Sequence, residues 1–265
     1  LVTPGLIDAH THLVFGGHRA QEFELKCQGV AYQEIAALGG GIQSTVRATQ
    51  AATEEELRAN ARDWMLRKIA MGETAFEVKS GYGQNFETEA RCLRVAQELG
   101  DELGVGVRTT LLALHAIPKG RDRVEFVDEV CCDWLPAAKG LAESVDIFVE
   151  EGFFTPEDAR RYAAAAREHG FGLRMHVDQF QDHGGAALAA ELGADSADHL
   201  EGTSLEGFHR LAESGTTAVL LPTSVLRLGL GKYPDGKSIQ ESGVRWVVAT
   251  DFNPGSSPGP SLLLA

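Results

Sequence analysis

Eight times along this chain a short β-rich run appears, and longer stretches with helical spacing lie between these runs. The runs are GLIDAHTHL (5–13), TAFEVKS (74–80), VRTTLLALHA (107–116), VDIFVEE (145–151), GLRMHVD (172–178), SADHLE (196–201), TAVLLP (217–222) and VRWVVATD (244–251). Amphipathic helices are predicted at 53–72, 87–104, 155–170, 184–193 and 204–215. The first opens on Thr53 and three glutamates, which cap its end and complement its dipole. Those at 87–104 and 155–170 stop at glycine, as helices often do. Strand alternating with helix implies a parallel sheet with helices outside. Eight such units predict a closed (β/α)8 TIM barrel of the α/β class, one domain over 1–265. An open doubly wound sheet is the alternative. The Gly-rich stretch LGGGIQST (38–45) has neither phosphate-loop spacing, so it reads as a flexible or tightly turning loop.

The strands end in unexpected residues. A buried strand should stay apolar, yet the first closes on Asp8, His10 and His12. Residues i and i+2 of an extended chain point to one side, so His10 and His12 present two imidazoles to one place. Lys79 and Tyr82 follow the second run and His115 ends the third; His176, His199 and Asp251 come at the fifth, sixth and eighth. In a barrel these ends share one rim, where catalytic groups sit. Burying even a neutral polar group without a partner costs roughly 2–7 kcal/mol. Several such residues at one rim therefore point to a shared cause, and a divalent cation supplies one. His10, His12 and His176 offer neutral nitrogens and Asp251 a carboxylate, with a position left for water as in catalytic sites. This N/O donor set suits zinc or iron better than calcium or magnesium. His18, His169, His183 and His209 fall in loops or on helix faces and are set aside.

Bulk properties exclude other roles. Thirty-eight acidic and 24 basic residues give a net charge of −14, which argues against nucleic acid and anionic membrane surfaces as partners. A small-molecule substrate is expected instead, and a homodimer is left open. Cys27, Cys92, Cys131 and Cys132 form no Cys-x-x-Cys pair, which fits a reducing, cytoplasmic setting. No stretch is apolar enough to span a membrane.

The Asp-x-His-x-His of the first strand, the later histidines and the final aspartate resemble the amidohydrolase superfamily. PGLIDAHTHLVFGGHRAQEFE, GGGIQSTVRAT, EVKSGYG, LHAIP, MHVDQ, SADHLE and ATDFNPGSSP narrow the likeness to the imidazolonepropionase family, from about Pro4 to Pro258. That resemblance implies hydrolytic opening of 4-imidazolone-5-propanoate to N-formimidoyl-L-glutamate, in the breakdown of histidine to glutamate. It implies His10, His12, His176 and Asp251 as ligands of one zinc or iron ion. It also implies substrate contacts from Arg19, whose planar fork suits a carboxylate tail, and from Tyr82, His115, Gln179, Asn253, Gly255 and Ser256. Tyr32 matches a family tyrosine near the carboxylate. Asp251 and His199 are the residues placed to move the proton of the attacking water, with the choice of base between them open.

The sequence departs from the family in three places. The segment PTSVLRLGLGKYPDGKS (222–238) replaces a proline-glycine-aromatic run in the pocket wall, and Phe252 stands where a smaller residue is expected. The family's small β-rich domain, built from both chain ends, has no counterpart here, and both ends look cut. The rival readings are another metal-dependent amidohydrolase or deaminase of a cyclic amide or heterocycle, and a catalytically dead metal-binding barrel.

Overall fold

The computed structural model describes residues 2–30, 34 and 39–265. Its eight strands are β1 (Leu6–Thr11), β2 (Glu73–Lys79), β3 (Gly106–Leu114), β4 (Ser144–Val149), β5 (Gly172–Val177), β6 (Ser196–His199), β7 (Thr217–Leu220) and β8 (Trp246–Val248). They pair in parallel in chain order to form a nearly closed barrel, the architecture expected from the alternating pattern. Each strand stops one to three residues before its β-rich run does, because the last residues turn out of the ladder to build the rim. The open doubly wound sheet is excluded by this strand order.

The seam between β1 and β8 carries no regular ladder. Instead Thr11 bridges Phe252, and the His12 N–H donates to the Phe252 carbonyl at 2.8 Å. Below them, Asp8 accepts from the Thr250 N–H at 3.0 Å and the Thr250 hydroxyl at 2.6 Å. The Lys68 ammonium lies 2.8 Å from the same Asp8 carboxylate and 3.0 Å from Glu73. Phe252 occupies this seam, its ring packed against Trp64 at 4.9 Å and Phe15 at 6.1 Å. A bulky residue fits there because the Glu54–Ala70 helix brings Trp64 and Lys68 over the gap.

The predicted helices form at Glu54–Ala70, Phe86–Leu103, Pro156–Glu168, Gly185–Glu191 and Leu205–Ser214. Thr53 and Glu56 make a reciprocal capping box, and Thr155 with Asp158 makes a second. Leu57, Met65 and Leu99 pack against Phe76 and Val78 of β2 on one side of the barrel; Phe126, Tyr162 and Phe208 join the core around Ile147, Met175 and Ala197 on the other. Each such fully buried large apolar side chain contributes about 1.5–3 kcal/mol.

Helices also form where the sequence pattern is silent, at Ala20–Cys27, Ile42–Ala51, Arg123–Glu129, Pro222–Leu228 and Gly236–Ser242. The Ile42–Ala51 helix corrects the reading of 38–45 as a loop: residues 42–45 are helical, and Gly41, at φ 74°, caps the helix that follows. Likewise the divergent segment 222–238 begins with a helix, and Leu226 to Leu230 form one wall of the central cavity. Among the described residues no helix is long and apolar enough to cross a membrane.

Candidate active site

The rim of the barrel gathers the histidines that the strand ends announced. His10 lies inside β1, fully buried, and His12 follows one residue past its end. Their ring centroids are 5.3 Å apart, and His176 from β5 lies 4.6 Å from His10. His199 closes β6, 5.2 Å from His176. Asp251 arrives beyond β8 with Oδ1 3.5 Å from Nε2 of both His10 and His12. Two overlapping groups result, His10–His176–His199 and His10–His12–Asp251, each with donor atoms within 4.8 Å of one another. The backbone is bent into the left-handed region to make this happen: φ is 84° at His199, 70° at Leu200 and 49° at Asp251. Non-glycine residues are held in that region at a cost of about 1–3 kcal/mol each, and such strain concentrates at functional sites.

The donor set fits a metal. His10 donates Nδ1–H to Asp198 at 2.6 Å, and His176 donates Nδ1–H to Asp146 at 3.0 Å. Each ring thus turns a bare Nε2 lone pair inward, and both of these buried Nε2 atoms lack a hydrogen-bond partner. Orphaned acceptors in such a place are costly unless a cation takes them. Donors about 2.0–2.2 Å from one centre in a tetrahedron are separated by roughly 3.4 Å, close to the spacing of Asp251 from the paired imidazoles. Burial holds His10 and His12 well below the ordinary imidazole pKa, with Lys79 the next cause at His10 and His115 at His12. Both are therefore neutral, the form a metal binds.

Other charges are set by the same burial. Asp251 is pushed above the usual carboxylate range by burial, against the pull of His199 and His176. Burial works against a charge on His199, yet Glu201 and then Asp251 outweigh it and raise its pKa. Burial first, and then the neighbouring His176, bring His115 down to about 4 despite its bond to the Gly81 carbonyl. Asp146 is held below the ordinary range because His176 and Lys79 outweigh its desolvation, and Asp198 is lowered chiefly by Lys79 in the same way.

Above the cluster opens a cavity of about 860 Å³. Its lining includes His12, His176, His199 and Asp251 together with Arg19, Tyr82, His115, Gln179, Asn253, Gly255 and Ser256; of the other described strand-end residues singled out from the sequence, His10, Asp8 and Lys79 are buried and do not line it. Tyr32 lies outside the described residues. Arg19 is held side-on by Glu22, which accepts from Nε at 3.0 Å and Nη2 at 2.7 Å and also from the Gly41 N–H. A Cβ at Gly255 would collide with the Arg19 guanidinium, so a larger residue there would displace Arg19 from its place beside Glu22.

The Tyr82 loop is ordered by Glu89, whose carboxylate accepts from the N–H groups of Gly81, Gly83 and Gln84 at 2.6, 2.7 and 2.9 Å. Gly81, at φ 117°, lets that loop pass His115 where a Cβ would come within 2.9 Å of Nδ1. Gln179 is placed by its own N–H, which donates to Glu150 at 3.0 Å. The Asn253 side-chain Oδ1 accepts from the N–H groups of Gly255 and Ser256 at 2.8 and 2.7 Å, while its side-chain Nδ2 donates to the Asp251 backbone carbonyl at 2.7 Å, tying the last loop together. Phe148, Phe153 and Phe180 supply an apolar wall.

Sequence reasoning missed the layer under the site: Asp146, Asp198, Glu201 and the partners of Lys79. Their signal was faint, a charged residue inside the apolar runs VDIFV and SADH.

No family model matches the chain. By sequence it is similar to the imidazolonepropionase of Rubrobacter xylanophilus, 51% identical over 258 residues that make 96% of this chain and 61% of the relative. It is 48% identical to that of Pseudomonas fluorescens over 267 residues, 99% of this chain and 67% of the relative. The chain thus spans 61% to 67% of the length of these curated relatives. Among solved structures, an amidohydrolase of Burkholderia ambifaria with bound zinc aligns with a TM-score of 0.69 at 18% identity, over 98% of this chain and 78% of that one. At that identity the likeness speaks for the fold, and it agrees with the barrel built here. Close identity along nearly its whole length, with the motifs of the rim intact, makes this chain a member of the imidazolonepropionase family, on the amidohydrolase barrel.

Proposed function

We propose that this barrel binds one divalent zinc or iron ion and hydrolyses 4-imidazolone-5-propanoate to N-formimidoyl-L-glutamate. One observation carries the reading: at the floor of a cavity whose lining also holds Arg19, His10 groups with His12 and Asp251 on one side and with His176 and His199 on the other. His10, His12, His176 and Asp251 would hold the ion. When bound, it supplies the Lewis acidity that makes water a nucleophile at neutral pH.

The chain's own residues do the rest. Arg19, pre-oriented by Glu22, takes the propionate carboxylate, and the fixed fork limits the entropy lost on binding. Tyr82, His115, Gln179, Asn253, Gly255 and Ser256 border the ring; Gln179, being uncharged, orients a ring polar group and cannot act as a base. Water adds to the ring carbonyl carbon, and the amide C–N bond breaks. One proton of that water must leave and one must reach the departing nitrogen. Asp251 and His199 serve this transfer, a role worth 10² to 10⁴-fold in such enzymes. The left-handed backbone at both residues keeps their side chains turned into the cavity.

The partner is a small molecule. The charge of −14 supports neither a nucleic acid nor an anionic membrane as partner, and the four free cysteines support a cytoplasmic setting. Association into a homodimer is read by sedimentation velocity.

The test is metal analysis with a hydrolysis assay on the protein and on His176→Ala. The parent is expected to carry about one metal per chain and to turn over imidazolone propionate; the variant loses both. Full activity in the variant would overturn the ligand assignment. Turnover of cytosine, guanine or dihydroorotate in place of imidazolone propionate would favour a different amidohydrolase, and metal without any turnover a dead barrel.

A further inference from the structure

Lys79 ends β2 with no exposure to solvent, and its place in the site is unexplained by substrate or metal binding. Its ammonium lies 2.7 Å from Asp146 on β4, 3.2 Å from Asp198 on β6 and 3.0 Å from Glu77 on β2. Side chains from β2, β4 and β6 meet only inside the barrel, where alternate strands fill a common layer. Two of these three carboxylates are the acceptors of the Nδ1–H groups of His176 and His10. Lys79 therefore stands beneath both imidazoles whose Nε2 atoms are bare.

We infer that Lys79 is a positioning residue that pins Asp146 and Asp198 and through them fixes the orientation and tautomer of His176 and His10. A carboxylate free to swing would let each ring flip or shift its proton to Nε2, which would then no longer be a donor of electrons to a cation. One buried ammonium with three N–H groups restrains both carboxylates at once, so it couples a ligand from β1 to a ligand from β5. The inference rests on the metal reading above.

The competing account is simple charge balance: three buried carboxylates need a cation, and any loss of it destabilises the barrel. Glu77 separates the two accounts, because it touches Lys79 and neither histidine. The experiment compares Lys79→Met, Glu77→Gln and Lys79→Met/Glu77→Gln, the last removing one charge of each sign so that the barrel folds if the single lysine variant does not. Zinc affinity is measured by chelator competition. The His ring tautomers are read in the metal-free proteins by ¹⁵N NMR.

Both variants lacking Lys79 are expected to bind zinc about 10–100-fold more weakly and to populate the Nε2–H tautomer at His10 and His176. Glu77→Gln keeps the parent's affinity and tautomers. Parent-like affinity and tautomers in a folded variant lacking Lys79 overturn the inference, as does equal weakening in Glu77→Gln. A parent that takes up no zinc overturns the metal reading instead, and the tautomers alone then decide whether Lys79 orders the rings.

Discussion

Arg19 illustrates how a single side chain is prepared for one task. Glu22 occupies Nε and Nη2, Gly255 leaves room beside Nη1, and the remaining face of the guanidinium looks into the cavity. A charge-assisted hydrogen bond contributes about 1.5–3 kcal/mol, so Arg19→Met should lower kcat/KM roughly 10–150-fold. The loss should appear mainly as a higher KM, since the carboxylate tail takes no part in bond breaking. Steady-state kinetics checks this, and an unchanged KM assigns the tail to another residue. Arg19 is singled out only through the family resemblance that FGGHR helps to carry, not from its local pattern. Glu22 could not be read at all: nothing in AQEFE separates a carboxylate that holds an arginine from one that faces water.

At the scale of elements, the Glu54–Ala70 helix shows how a surface-type residue becomes interior. Lys68 sits in its last turn, where a lysine ordinarily complements the dipole and stays in water. Here it is fully buried between Asp8 of β1, Glu73 of β2 and the Pro260 carbonyl, 2.8 Å from the last. Burial pushes the Glu73 carboxyl up to about 7 from 4.5, although Lys68 pulls it down. A carboxyl that keeps its proton longer in the folded chain than in the unfolded one stabilises most below pH 4.5, and that contribution is lost as the pH rises to 7. Urea unfolding between pH 4.5 and 7.5 should therefore show a declining contribution that Glu73→Gln flattens. An equally steep decline in the variant would place the titrating group elsewhere. The helix itself was legible from its cap and period; its burial against the seam was not, because a charged residue in a last turn reads as solvated.

The whole molecule depends on closing eight strands into one ring. Between β1 and β8 a ladder is replaced by the Asp8–Thr250–Lys68 cluster and the Thr11–Phe252 bridge, and this seam lies directly below the meeting point of His10, His12 and Asp251. Asp8→Ala leaves Lys68 with fewer partners in the interior and should cost about 3–5 kcal/mol of stability, read from urea midpoints, together with weaker zinc binding because its two ligand-bearing strands are no longer tied. Unaltered zinc affinity in the folded variant would show that the seam does not set the site. Alternating β-rich and helical runs determined the barrel, since a parallel sheet covered by helices is the arrangement that buries eight such strands. The polar strand ends determined the rim, since their desolvation demanded a common cause. Only the tertiary structure decided which carboxylates stand beneath those histidines, which cation holds them, and how the ring is shut, because these contacts join residues as far apart as Asp8 and Thr250, where local pattern carries no information about partner or distance.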